Sequence, residues 1–249
     1  MADLAIVLVG LFLPLFPLSM VFNALLERSG HPLLRSVLLL AWPQIGLWAL
    51  STQTGSIPSW LVVWALLTAL LYAFRLLAMR EMGRWTGFLA TSAWAVLWLP
   101  LYAGVPVAEL WAFAAGFSVP LVFLALLADT LTRQFGAAYT GLYGGLARRM
   151  PRFSGVLVIS ILAATATPLF PAFFAMLNAL IVSQPIPAVV LAAVWLVWSW
   201  AAARLLQGLI VGAAEPSPEL DLSTTTTWGY SVGLVGLIVA GLMLTGGTL

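Results

Sequence analysis

A polytopic, all-α membrane protein is the fold class this sequence predicts, and three features carry the prediction. Of 249 residues, 63% are hydrophobic and only 7% are charged, a composition outside the range of soluble domains. Apolar stretches of about 20 residues recur along the chain, each long enough as a helix to cross roughly 30 Å of hydrocarbon. All ten basic residues are arginine, and they fall only on alternate connections between those stretches.

Eight spans are predicted, at roughly 4–26, 33–50, 59–79, 85–103, 107–128, 153–182, 188–211 and 228–247. Arg28, Arg35, Arg75, Arg80, Arg84, Arg133, Arg148, Arg149, Arg152 and Arg204 lie in the connections 27–35, 75–84, 129–152 and 204–227. The connections 51–58, 104–106 and 183–187 hold no arginine, and neither do the termini. The positive-inside rule then predicts a multi-pass protein of the inner (cytoplasmic) membrane with both termini on the outer, periplasmic side.

The first span lacks a basic n-region and a small-x-small site, so it reads as a mature helix rather than a cleaved signal. Trp60, Trp85, Trp111 and Trp228 fall near span ends, where amphipathic rings favour the headgroup level. Trp94, Trp98, Trp195, Trp198 and Trp200 lie deeper and are assigned to packing or lipid contact. Serine and proline mark short outer turns at Ser51–Pro58 and Ser183–Pro187. Pro43, Pro100 and Pro120 are single prolines within spans and receive no role. The sixth span carries both Pro168 and Pro171, which remove two amide donors at bilayer depth and predict a discontinuous helix there. In the last span Gly229, Gly233, Gly236 and Gly241 predict close helix packing. The run Thr224–Thr227 is a candidate cap for that helix.

Several function classes are excluded. With no cysteine and one histidine, His31, the chain offers no disulfide, no cysteine-ligated metal and no bis-histidine haem site. A formal charge of +2 is too small to argue for nucleic acid. There is no nucleophile–histidine pairing, carboxylate pair or metal cluster, so an enzyme is not predicted, nor is any cofactor or metal.

Charged and polar side chains at depth are the remaining candidates. Arg204 lies about eight residues inside its span, about 12 Å at helical rise, within reach of the interface by snorkelling. Thr165 and Thr167 flank Pro168 and can satisfy backbone groups freed at the break. Asn178 follows the break and can bond a neighbouring helix. Gln44 and Gln207 are further neutral candidates. Glu215, Glu219 and Asp221 cluster in a polar loop, which reads as solvated or as a protein contact.

The segment from Ala112 to Leu180 resembles the antiporter-like membrane subunits of respiratory complex I, membrane-bound hydrogenases and multisubunit cation/proton antiporters, a group related to inorganic-carbon-accumulating complexes. The matching stretches are Gly116–Phe123, the loop Gly144–Pro151 within YGGLARRMP, and Pro168 with Phe173 and Leu177. A weaker match continues through Arg204–Leu222. The resemblance divides the chain into a loosely matching region, 1–106, and an antiporter-subunit-like region, 107–249, with a cytoplasmic hinge at 129–152. It also implies departures. Where that family carries a histidine this chain has Ala115, and where it carries a glutamate or lysine this chain has Met176. A shortened or split paralogue is expected.

The resemblance implies a non-catalytic, non-conducting membrane subunit that assembles or stabilises a proton- or ion-translocating complex. Its expected partners are other membrane subunits, among them a full-length antiporter-like one, a soluble subunit at Arg148, Arg149 and Arg152, and lipid. The alternative is a self-contained transporter or channel that uses Thr165–Pro171, Asn178 and Arg204.

Overall fold

The structure, a computed structural model, describes residues 8–52, 57–141, 144–212 and 221–246. Eleven helices are named here: α1 Ser19–Arg28, α2 Pro32–Ser51, α3 Ser59–Ala78, α4 Met82–Val96, α5 Trp98–Tyr102, α6 Val107–Phe135, α7 Leu146–Arg149, α8 Pro151–Ala164, α9 Pro171–Val182, α10 Pro185–Ile210 and α11 Thr224–Gly246. A short helical piece at 8–12 precedes α1. Among the described residues, five helices are long and apolar enough to cross a membrane: α2, α3, α6, α10 and, over Thr224–Leu244, α11. The chain is a multi-pass membrane protein.

The remaining three predicted spans are each in pieces. The first stops being helical at residue 13 and resumes at Ser19. Pro14 and Pro17 lie between, and neither can donate a backbone hydrogen bond. The fourth is interrupted at Leu97, between α4 and α5. The sixth ends at Ala164 and restarts at Pro171, where proline suits the first helical position because that amide would be unpaired anyway.

The arginine-bearing connections meet at one end of the bundle. Glu27 pairs with Arg84 at 3.2 Å, and Glu81 forms an isolated bridge with Tyr139. The Thr140 amide donates to the Arg80 carbonyl at 2.8 Å, and the Gly141 amide to that of Gly208 at 3.1 Å. Gly144 packs against Val211 and Gly212, and Asp221 accepts from the Arg152 and Phe153 amides. The main core runs from Val9 to Leu222 and crosses position 106 without interruption. Trp85, Trp94, Trp98 and Trp198 are its largest fully buried side chains.

Capping of α11 differs from expectation. The side chain that accepts is Ser223, whose hydroxyl takes the Thr226 amide at 3.1 Å. The threonine run lies within the first helical turn, where Thr227 bonds the Ser223 carbonyl. A residue with helical dihedrals cannot turn its side chain onto the first free amides, so the preceding serine does so.

Candidate functional site: two interrupted helices

An interrupted helix leaves carbonyls and amides without intrahelical partners, and in a membrane these need protein donors and acceptors. At the interruption of the sixth span the Thr165 hydroxyl donates to the Ile161 carbonyl at 2.9 Å and the Thr167 hydroxyl to that of Leu162 at 2.9 Å. The Trp195 indole N–H on α10 is shared between the Thr165 and Ala166 carbonyls, at 3.2 and 3.1 Å. Ala166 and Leu169 adopt positive φ, 57° and 82°, a conformation residues with a Cβ hold only when surroundings impose it.

Two glycines press on this segment. A Cβ on Gly116 of α6 would lie 2.7 Å from that of Pro171, and a Cβ on Gly241 of α11 would overlap the Leu169 carbonyl oxygen. Only glycine lets both helices approach the non-helical backbone so closely.

The first interruption has the same construction. Three indoles reach its carbonyls: Trp42 to Leu11 at 3.0 Å, Trp64 to Phe16 at 2.6 Å and Trp98 to Leu13 at 3.1 Å. The Phe16 amide donates to the Thr68 hydroxyl at 3.1 Å. Gly46 of α2 supplies the close approach, its Cβ position 3.0 Å from Phe12 and 3.1 Å from Leu13. Both interruptions carry the same tetrapeptide, Pro14-Leu-Phe-Pro17 and Pro168-Leu-Phe-Pro171. The first predicted span ends at the arginine-bearing end of the bundle, at Arg28, and the sixth begins there, at Arg152, so the two copies run in opposite directions, as in an inverted repeat. An unbroken apolar run over 4–26 hides the first copy, and the repeated tetrapeptide is the signal that marks it.

A buried polar array adjoins the first interruption. The Ser19 and Tyr72 hydroxyls are 2.8 Å apart, and Asn23 donates to the Ser19 carbonyl and the Thr91 hydroxyl at 2.9 and 3.0 Å. Ser92 donates to the Ala69 carbonyl and accepts from the Trp198 indole. Asn23 also lines a cleft of about 270 Å³ with Glu27, Arg35, Glu81, Arg84 and Tyr139. The charged members of the cleft are engaged: Glu27 with Arg84, Arg35 with the Ser29 carbonyl, and Glu81 with the Gly83 and Arg84 amides.

The deep tryptophans therefore do more than pack. Trp98, Trp195 and Trp198 donate hydrogen bonds, and Trp94 donates to Ser118 at 3.2 Å; Trp200 alone of the five is highly exposed. Replacing Trp195 with phenylalanine keeps most of its bulk and removes the donor. A loss of about 1 kcal/mol is expected, read as a lower thermal midpoint in detergent, whereas Trp200→Phe should leave the midpoint unchanged.

The other candidates separate in space. Arg204 is exposed and lines a recess with Arg80 and Thr140 at the arginine-bearing end, away from the interruption at 165–170. Asn178 on α9 is half-buried, with its Oδ1 buried and unpartnered. Ala115 is half-buried beside Gly116, and Met176 is fully buried. Arg148 is exposed, and Arg149 is half-buried with its Nε unpartnered. Arg152 is exposed but engaged: its guanidinium bonds the Leu222 carbonyl and the Thr224 hydroxyl at 3.3 and 3.1 Å, while Asp221 accepts from the Arg152 and Phe153 backbone amides. Glu215, Glu219 and Tyr143 lie outside the described residues. In the last helix Gly233 packs on Phe123 and Gly241 on Leu169, while Gly229 and Gly236 face open space. Among the described residues, no group of three histidine, cysteine, aspartate or glutamate side chains could hold a metal.

These features define a helical membrane protein built about two oppositely directed, interrupted helices. Comparison with solved structures then places the fold. A chain of respiratory complex I from Thermus thermophilus with bound NADH superposes with a TM-score of 0.81 at 22% identity, over 94% of this chain and 52% of that one. A chain of the Mrp complex from Dietzia sp. DQ12-45-1b gives 0.77 at 15% identity, over 96% and 55%. A chain of the membrane-bound sulfane sulfur reductase, an archaeal respiratory membrane complex, gives 0.80 at 18% identity, over 96% and 51%. The fold is that of chains from these membrane complexes, in agreement with the resemblance carried by Gly144–Pro151. This chain spans about half the length of the chains it matches. No protein-family model matches the sequence, and no curated protein matches it.

Proposed function

We propose that this chain is a membrane subunit of an ion-translocating complex of the complex I and cation/proton antiporter kind, and that it assembles or stabilises the complex without itself conducting ions or catalysing a reaction. Its place would be the inner membrane, with both termini on the outer side and the arginine-bearing end in the cytoplasm. One observation carries the reading. Among the described residues, the side chains that bond the freed backbone groups at 11–16 and 161–166 are tryptophan and threonine, none of which titrates. Ala115 and Met176 occupy positions where the family resemblance places titratable groups. A proton path needs stations that gain and lose protons, and the arginines do not supply them.

Partners would be other membrane subunits, among them a full-length antiporter-like one, together with a soluble subunit facing Arg148 and Arg149. Glu215 and Glu219 belong to the same proposed surface, whereas Arg152 and Asp221 are occupied by each other's segments. The test is isolation of the tagged protein from its native membrane in mild detergent, followed by mass spectrometry. A stoichiometric antiporter-like or soluble subunit is expected. Recovery of the chain alone, with full activity of the complex in its absence, would overturn the proposal.

A conducting role has one supporting feature, the cleft lined by Asn23, whose side chain donates to the Ser19 carbonyl beneath it. It predicts ion flux in liposomes that Asn23→Leu abolishes. The distance of Arg204 from the interruption counts against its use as the central charge of such a path.

A further inference from the structure

Among the described residues, the recess between the end of α3 and α10 holds two arginines and no acidic side chain. Arg80 and Arg204 line one concavity of about 390 Å³ with Thr140, Phe74, Leu77 and Met79. Among the described residues, neither guanidinium has an ion pair or a hydrogen bond, and no acidic side chain lines the recess. Arg84 and Arg133, by contrast, are paired with Glu27 and Asp129, and Arg75 lies over the Phe88 ring at 4.4 Å. Two like charges sharing a concavity repel, and an anion between them removes that cost.

The surroundings select the kind of anion. Arg80 follows Met79, the C-cap of α3, which ends at Ala78, and Phe74 lies just over a turn back into the helix with 54% of its surface exposed. Leu76, Ala201 and Leu205 form a buried apolar floor. Arg80 lies beyond the end of α3 and Arg204 within the last two turns of α10, and Phe74, Leu76, Leu77 and Leu205 line the recess beside them. The site matches a molecule with a phosphate at one end and hydrocarbon at the other. Guanidinium forks bind phosphate oxygens in pairs, and basic pockets between membrane helices suit anionic headgroups. The geometry points to a binding site for the phosphate of an anionic phospholipid, held by Arg80 and Arg204 with its chains along Phe74 and Leu77. This inference does not depend on which complex the chain joins.

The probe is phosphatidylglycerol. Intact protein would be placed in phosphatidylcholine nanodiscs containing a minority of that lipid, and retained lipid read by native mass spectrometry after release. Wild-type protein should keep phosphatidylglycerol in preference to phosphatidylcholine. Arg80→Gln/Arg204→Gln should lower that occupancy roughly tenfold or more. Arg80→Lys/Arg204→Lys, which keeps the charge and loses the fork, should fall between. Arg28→Gln/Arg148→Gln removes the same charge elsewhere and should change nothing. Equal retention in the Arg80/Arg204 variant, equal loss in the Arg28/Arg148 variant, or no preference over phosphatidylcholine would each overturn the site. Full displacement of the lipid by inorganic phosphate would reassign it to free phosphate and overturn the lipid identity.

Discussion

Gly241→Leu is expected to prevent stable folding of the C-terminal part of the bundle. The first atom of any side chain there overlaps the Leu169 carbonyl oxygen, and the Phe170 carbonyl carbon follows at 3.2 Å. Overfilled sites usually cost about 1–3 kcal/mol when neighbouring side chains can move aside. Here the obstacle is backbone, already held at a positive φ of 82° at Leu169. The cost should therefore be about 3 kcal/mol or more. Gly236 lies on the same helix with nothing within 4 Å of its Cβ position, so Gly236→Leu should alter stability by less than about 0.5 kcal/mol. Size-exclusion profiles and thermal midpoints of both variants in one detergent would decide. Equal midpoints for the two would remove Gly241 from the account of how the interruption is held.

Asp221→Ala should give the next largest effect. Helix α8 starts at Pro151, and its N-cap residue, Met150, has no side-chain cap bond. The Arg152 and Phe153 amides are consequently left without intrahelical acceptors. Asp221 takes both, Oδ2 from Arg152 at 2.9 Å and Oδ1 from Phe153 at 3.0 Å, and Oδ1 also accepts from Leu222 at 2.8 Å. A carboxylate at a helix N-terminus further complements the helix dipole. Loss of all three bonds should cost about 2 kcal/mol. Asp221→Asn, which keeps one good acceptor, should cost roughly half as much. A drop in thermal midpoint ordered Ala below Asn below wild type is the expected result. If alanine matched wild type, the clamp between the 221–224 segment and α8 would have no stabilising role.

Much of the architecture can be read from residue order alone, because membrane insertion is governed by local quantities. Helix length against bilayer thickness and the placement of arginine are properties of short windows. They located the five long helices and grouped the arginine-bearing connections that the structure brings together. The segment Gly144–Pro151 likewise carries a likeness that the comparison of folds supports.

What local windows cannot hold is the identity of a distant partner. The sequence reading took residues 4–26 as one helix because their apolar run is unbroken; three indoles from residues 42, 64 and 98 satisfy the carbonyls that the interruption exposes. Asp221 read as a loop carboxylate because its acceptor role depends on amides nearly 70 positions away. Arg204 read as a deep charge by counting along its helix, while the folded chain sets it beside Arg80. Residue order determined that this protein is a bundle of membrane helices with a charged end and a break at Pro168. Only tertiary structure decided which side chains meet the freed backbone groups, which glycines are irreplaceable and which arginines remain unpaired, since each depends on segments brought together by packing rather than by adjacency.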